Sequence, residues 1–429
     1  MKKRLTLALA LLALIPGTLL PAEADSGLPD GIGRWSDPVV VSVDQAHRET
    51  SIVINPKNEN EMLICTPSGV PNVFDNQSYF HMSHNGGESW KPVRVEGGPD
   101  DLRNYAFEGG DCDVAYDQGG TMYAADTWLG NLSVGRSEDG GKTWTGTPLT
   151  VAAPIVDRPW LVGTKPGTLH LSYHALQCCM PSAIWYTKST DSGQTFSPVV
   201  SIATAGPDGA FTWEGNLVVS RDEKHLYLVY TRRQDAQGRE GPESVWVASS
   251  HDAGASWSST KLADRPTSAS FLYPSLAMDD AGYLHAVYSS PTDKDVPVWY
   301  QMSKDGAETW TNPLPLTRGE SGYSPWIDAS GKGDAAVAWY GSSDPEAPGN
   351  TDSDWYFYWA RIRDSHLKSG SISTGRTTKE PIFTGNSTIP EFEMVRLDKK
   401  GRMHIGMSAF HKTESGQQGW AIFYQRERR

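Results

Sequence analysis

The chain of 429 residues is short of positive charge, of cysteine and of long apolar runs. Its 38 Lys+Arg stand against 51 Asp+Glu, a formal net charge of −13. Nucleic acid and anionic membrane surfaces bind a basic face that displaces counterions, so neither is expected as a partner. Beyond residue 24 no run approaches the roughly 18–20 apolar residues of a membrane span, and no segment shows the 3.6-residue period of a long amphipathic helix. What the chain does have is 42 Gly, 28 Pro and 16 Trp, a turn-rich and aromatic composition that excludes disorder and is ample for a buried core.

The four cysteines are Cys65, Cys112, Cys178 and Cys179, all in the first half of the chain. Their spacing does not match a zinc site, and no metal or other cofactor is expected. Asp352 and Asp354 resemble part of a calcium loop but lack its glycine and distal glutamate. Four cysteines allow three complete pairings. Cys65 with Cys112 is the expected bond because the repeat described below puts them in neighbouring units; Cys178 and Cys179 form a vicinal bond or stay as thiols, and buried unpaired thiols throughout are the alternative.

Residues 1–24 read as a targeting segment. Lys2, Lys3 and Arg4 are followed by an apolar stretch from Leu5 to Leu20 and by Ala22-Glu23-Ala24, a small-x-small cleavage site. Cleavage after Ala24 would release residues 25–429 as a secreted or periplasmic protein, expected to be a monomer.

The strongest signal is internal repetition. Ser83-His84-Asn85-Gly86-Gly87-Glu88-Ser89-Trp90 recurs as Ser137 to Trp144, Ser189 to Phe196, Ser250 to Trp257 and Ser303 to Trp310, with the closing aromatics 54, 52, 61 and 53 residues apart. Asp or Asn at the third position can bond the backbone two residues on, Gly supplies a positive φ, and the aromatic can fold over the turn as an apolar plug. Each copy follows an alternating strand such as Ile184-Trp185-Tyr186-Thr187-Lys188, so each closes a hairpin. Two more units without the motif, Trp326 to Tyr340 and Phe392 to Met407, follow the same scheme. Seven units share residues 25–429 at about 58 each, close to the observed spacing, whereas six would need about 68. The expected fold is all-β: one propeller domain of seven four-stranded blades, with six as the alternative. The last unit stops after Ala421-Ile422-Phe423-Tyr424, and Trp35 to Val43 reads as an orphan strand that would pair with it and close the ring.

The repeated motif closely resembles the Asp box of the sialidase superfamily, where it braces a blade and is not catalytic. In such a propeller the boxes share one face. The other face, at the channel mouth, receives the start of each innermost strand, and ligands are expected there. It would carry Glu49, Asp111, Asp157-Arg158, Trp213-Glu214, Tyr273, Ser324-Pro325-Trp326 and Glu391-Phe392, with His174, Arg232, Arg233 and His411 on longer loops.

Sialidases use a tyrosine nucleophile activated by a glutamate, an aspartate acid/base and three arginines that grip the substrate carboxylate. Carried onto this sequence, the resemblance implies Tyr273, within Tyr273-Pro274-Ser275-Leu276-Ala277, as nucleophile. It implies Glu214 as its base and Asp75 or Asp111 as acid/base. It implies Arg48 and Arg232 as carboxylate binders. Arg158, Asp157, His174, Trp213 and Trp326 complete the expected substrate-binding set. The sequence departs from the family pattern: His47-Arg48-Glu49-Thr50 lacks the Ile-Pro that follows the first arginine, and a third arginine has no clear counterpart. The expectation is an exo-acting glycoside hydrolase that removes a terminal acidic sugar. A non-catalytic glycan- or protein-binding propeller is the second reading, and a lyase or hydrolase of acidic polysaccharide with His174 as base is the third.

Overall fold

Runs such as Leu169–Ala175 and Ala183–Ser189 alternate about short turns and fold as antiparallel meanders. The computed structural model describes residues 34–43, 49–67, 80–93, 111–128, 131–149, 156–175, 183–204, 211–233, 242–265, 273–292, 294–344, 347, 352–385, 390–392, 394–412 and 418–428. These form seven antiparallel sheets of four strands each, the sixth carrying one further short strand, Phe383–Thr384. There is no α-helix among the described residues, and none long and apolar enough to cross a membrane. The targeting segment and Cys178 and Cys179 lie outside the described residues.

Six sheets are built from four consecutive strands, and the seventh closes the ring as expected. Val395–Leu397, Met403–Lys412 and Gln418–Arg426 come from the C-terminal end, and Val39–Ser42 from the N-terminal end supplies the fourth strand, with Val39 opposite Tyr424. The blades number seven, so the six-bladed alternative falls. The innermost strands are Ser51–Ile54, Cys112–Tyr116, Val156–Gly163, Phe211–Val219, Ser275–Met278, Ser321–Ser330 and Val395–Leu397, here assigned to blades 1 to 7 in that order.

The apolar cores lie between blades, where facing sheets meet. An inner strand such as Leu169–Ala175 is therefore buried along its whole length, while the outer strand Ser258–Arg265 is largely exposed. Neighbouring blades are also stitched by hydrogen bonds near the channel. The Ser51 hydroxyl donates to Asp113, and the Leu161 amide donates to the other Asp113 oxygen at 2.7 Å. Asn216 accepts from the Leu276 amide at 2.8 Å, Ser275 accepts from Ile327 and Asp328 accepts from Leu397. A disulfide, Cys65–Cys112, ties the second strand of blade 1 to the first of blade 2.

The five Asp boxes lie where the repeat puts them and bond as the motif predicts. In the second box the Ser137 hydroxyl donates to Asp139 and accepts from the Gly141 amide; Asp139 accepts from the Thr143 amide at 2.9 Å and the Thr143 hydroxyl at 2.7 Å. The Trp144 indole donates to the Gly141 carbonyl at 3.1 Å, so the plug is anchored at both ends.

Candidate active site

One short segment from each blade reaches the channel mouth, because each innermost strand starts there. Three of these starts are bulged: the ladder shifts between Asp157 and Trp160, between Glu214 and Leu217, and between Tyr323 and Trp326. A bulge re-aims the side chain it carries. Arg158, Ser324 and Phe392 hold positive φ angles of 50°, 48° and 55° at this level, a backbone state that non-glycine residues adopt only where the surroundings enforce it.

Arg158 is the centre of the cluster. Only 8% exposed, it is ion-paired with Glu391, lies 3.9 Å from Glu49, and rests on the rings of Phe392 and Tyr273 at 4.3 and 4.4 Å. Glu49 and Glu391 bridge backbone to backbone across the ring closure. The Tyr273 ring packs 4.4 Å from that of Phe392 and 6.2 Å from that of Trp213, on the same guanidinium that pairs with Glu391. A cavity of about 20 Å³ opens beside them, lined among others by Glu49, Asp111, Cys112, Arg158, Trp160 and Phe392.

Protonation in the cluster is divided. Burial, and then the neighbouring Asp111 charge, raise Glu49 well above the carboxylate range, and burial with the hydrogen bond to Asp111 does the same to Asp157. Against its own burial, Asp111 is held low by the bond from Asp157 and by Arg158. One carboxyl is thus kept ionised beside a hydrogen-bonded one that keeps its proton, the division expected of an acid/base pair. Burial also raises Glu391, with Arg158 opposing, and raises the Tyr273 phenol well above its ordinary value. The Arg158 guanidinium stays charged in spite of burial, with Glu391 as its ion-pair partner.

Of the residues expected from sequence, Asp111, Asp157, Arg158, Tyr273 and Trp213 come together. Glu214 is adjacent but fully buried; its carboxyl is raised by burial and by Asp157, and neither of its oxygens finds a hydrogen-bond partner, Tyr273 included. His174 is not on a loop. It lies within the strand Leu169–Ala175, opposite Asp157 and 5.2 Å from the Trp213 ring, and burial together with Arg158 pushes its pKa down to about 3, leaving it neutral. Trp326, 2% exposed, packs under Trp160 and Phe392 as core. Arg232 stands across from Thr212 and Ser244 near the end of the second strand of blade 4. Asp75 and Arg48 lie outside the described residues. Glu391 and Glu49 are the site residues to which sequence reasoning gave no role, although both occupy the same innermost-strand position as the residues it did single out.

No curated protein matches the chain at a significant level. Among solved structures, a polysaccharide lyase described as a PL25 ulvan lyase bound to -[GlcA(1-4)Rha3S]- is similar with a TM-score of 0.51 and 12% identity, covering 90% of this chain and 95% of that one. The GH93 alpha-L-arabinofuranosidase of Fusarium graminearum gives 0.46 and 17% over 73% of this chain and 91% of its own. YCF48 from Cyanidioschyzon merolae gives 0.48 and 12% over 92% and 99%. At such identities the likeness is one of fold. The sequence relationship is more direct: residues 25–286 match the BNR repeat-like domain, the segment that contains four of the five Asp boxes and most of the mouth, and the chain belongs to that family.

Proposed function

We propose that the protein is a glycan-active enzyme, a glycoside hydrolase acting on a terminal sugar, with Tyr273 as nucleophile and Glu391 as the group that takes its proton. The observation that carries this reading is the seating of the Tyr273 ring 4.4 Å from the Arg158 guanidinium, which is itself ion-paired with Glu391. A neutral phenol is a weak nucleophile and needs a carboxylate to accept its proton as the bond to the anomeric carbon forms. Arg158 favours the phenolate that develops. As the glycosidic bond breaks, Asp157 gives its proton to the leaving oxygen. In the second step water attacks the tyrosyl-sugar, Asp157 takes the water proton, and the phenol recovers its own from Glu391. A propeller of the same fold that acts on a polysaccharide, the ulvan lyase, supports glycan use at the level of fold. The neutral, buried His174 gives no support to a lyase base at that position.

The same reading includes export after cleavage at Ala24, which N-terminal sequencing of the released protein tests. The activity is tested with a panel of fluorogenic aryl glycosides, comparing the wild type with Tyr273→Phe. Turnover that disappears in the variant is the expected result, and a variant that retains it overturns the tyrosine mechanism.

A further inference from the structure

The Asp box of blade 4 differs from the other four in one pair of side chains. The strand Leu226–Arg233 pairs with Glu243–Ser250 in a register that puts Leu226 opposite Ser250, so His225 and His251 stand across from each other where the ladder ends. The same two positions carry Thr168 and Thr190 in blade 3 and Tyr283 and Lys304 in blade 5, and of the five boxes only that of blade 4 has a histidine at both. We propose that His225 and His251 together form a binding site for a divalent transition metal, taking Cu(II) ahead of Ni(II) and Zn(II).

Backbone holds the pair in place. The His225 amide donates to the Ser220 hydroxyl at 3.0 Å, its carbonyl accepts from the Ser220 amide at 2.8 Å, and the Ala253 amide of the box donates to the Lys224 carbonyl at 3.0 Å. Opposed side chains on antiparallel strands have Cβ atoms about 4.5–5.5 Å apart, a spacing from which two imidazoles reach one ion. The two Nδ1 atoms stand 3.0 Å apart, joined by a hydrogen bond whose proton the metal would displace to solvent. Nitrogens at that separation, each about 2.0–2.1 Å from a common metal, subtend roughly 90–95°. This is the cis angle of tetragonal Cu(II) or Ni(II), whereas tetrahedral Zn(II) needs the nitrogens about 3.3 Å apart. At nitrogen donors Cu(II) also binds more tightly than its neighbours in the series. The His251 ring is seated edge-on to Tyr227 at 6.1 Å, and a Cβ on Gly306 of the next box would meet it at 3.6 Å, so little rotamer freedom is left to lose on binding. Asp222 interacts electrostatically with His225 and adds negative charge beside the pair. Among the described residues no third His, Cys, Asp or Glu completes the cluster, so water or an added ligand fills the remaining positions. The strand Leu226–Arg233 separates this pair from the mouth, where Arg233 stands opposite Phe211, and the metal takes no part in the proposed glycosidase chemistry.

The test is calorimetric titration of the full chain, carrying no histidine tag, with copper(II), nickel(II) and zinc(II) chloride, and electron paramagnetic resonance of the copper form. His225→Gln and His251→Gln are compared with wild type, and His84→Gln, in the box of blade 1, is the control. We expect one Cu(II) per chain, a tetragonal spectrum with coupling to two nitrogens, and affinity falling from Cu(II) to Ni(II) to Zn(II). Each of the first two variants should weaken Cu(II) binding at least about tenfold, and the control should leave it unchanged. Circular dichroism establishes that the variants are folded, and a rise in melting temperature with Cu(II) in the wild type but not in His225→Gln gives a second reading of the same site. Binding that persists undiminished in the two variants, a spectrum without nitrogen coupling, or no binding by the wild type overturns the site. Zn(II) binding tightest, with both histidines required, overturns the tetragonal preference.

Discussion

Gly254, in the Asp box of blade 4, lies flat against the ring of Tyr186 in blade 3: a Cβ on this glycine would come within 2.3 Å of the ring. The same seating recurs at the ring closure, where Gly87 lies on Tyr424 and the Tyr424 hydroxyl donates to the Gly86 carbonyl at 3.3 Å. The boxes of blades 1, 3 and 4 therefore do more than close their own hairpins, since Gly87, Gly193 and Gly254 each lie against a tyrosine of the blade before, while Gly141 of blade 2 meets Met82 instead. Gly254→Ala should destabilise the protein by about 3–5 kcal/mol, combining left-handed strain at φ +90° with overpacking. Gly282, at φ +83° with nothing near its missing Cβ, provides the contrast: Gly282→Ala should cost only the strain, about 1–2 kcal/mol. Urea unfolding of both variants measures the difference, and equal effects would remove the inter-blade role.

Asp113 stitches three blades and carries a stability signature in pH. Burial raises its pKa to about 6, although the Leu161 amide and Ser51 hydroxyl bond its oxygens. The folded state therefore holds this proton more tightly than the unfolded chain. The stabilisation is fully present below about pH 4 and is lost as pH rises through about 6. Asp113→Asn keeps the shape, with its carbonyl accepting from Leu161 and its amide donating to Ser51, and Asn216 already fills the corresponding role in blade 4. Between pH 4 and 6 the wild type should lose on the order of 2 kcal/mol relative to the variant. Parallel denaturation curves across that window would show that Asp113 does not titrate there.

The repeat, the blade number and the ring closure were legible because each is written locally. The Asp box specifies its own turn, and an unpaired strand at each end of the chain demands a partner. The level of the site was legible for the same reason, since every innermost strand begins at the mouth. Which side chains converge there was not. Glu49 and Glu391 stand at opposite ends of the sequence and meet only because blades 1 and 7 adjoin. The partner of Tyr273 depends on the rotation of each bulged strand start, which single-sequence periodicity does not encode. His174 shows a related limit. In Leu169–Ala175 both faces are covered by neighbouring blades, so the polar and apolar alternation that would reveal a strand and its buried side is blurred.

The disulfide holds the blade carrying Asp111 to its neighbour, because Cys112 directly follows Asp111 and Cys65 belongs to blade 1. Closing a loop over a sequence separation of 47 constrains the unfolded chain, so Cys65→Ser/Cys112→Ser should lose about 2–4 kcal/mol. Reductant should lower the wild-type melting temperature toward that of the variant and leave the variant unchanged. A reductant-insensitive wild type would mean that the two thiols are not joined.

The assignment of the base separates two glutamates that sequence alone could not rank. Glu391 holds the Arg158 ion pair on which Tyr273 rests, whereas Glu214 is fully buried and neither of its oxygens has a hydrogen-bond partner. Glu391→Gln removes the group that takes the phenol proton and should lower kcat by about 10²–10⁴-fold. Glu214→Gln reproduces the shape and neutrality of the protonated acid and should leave kcat within about threefold while the fold is retained. Circular dichroism and thermal melts on both variants separate lost chemistry from lost structure. If the two rates come out reversed, with Glu214→Gln inactive and Glu391→Gln active, the proton of Tyr273 goes to Glu214 and the Arg158–Glu391 pair is scaffolding that links blades 3 and 7 across the channel mouth.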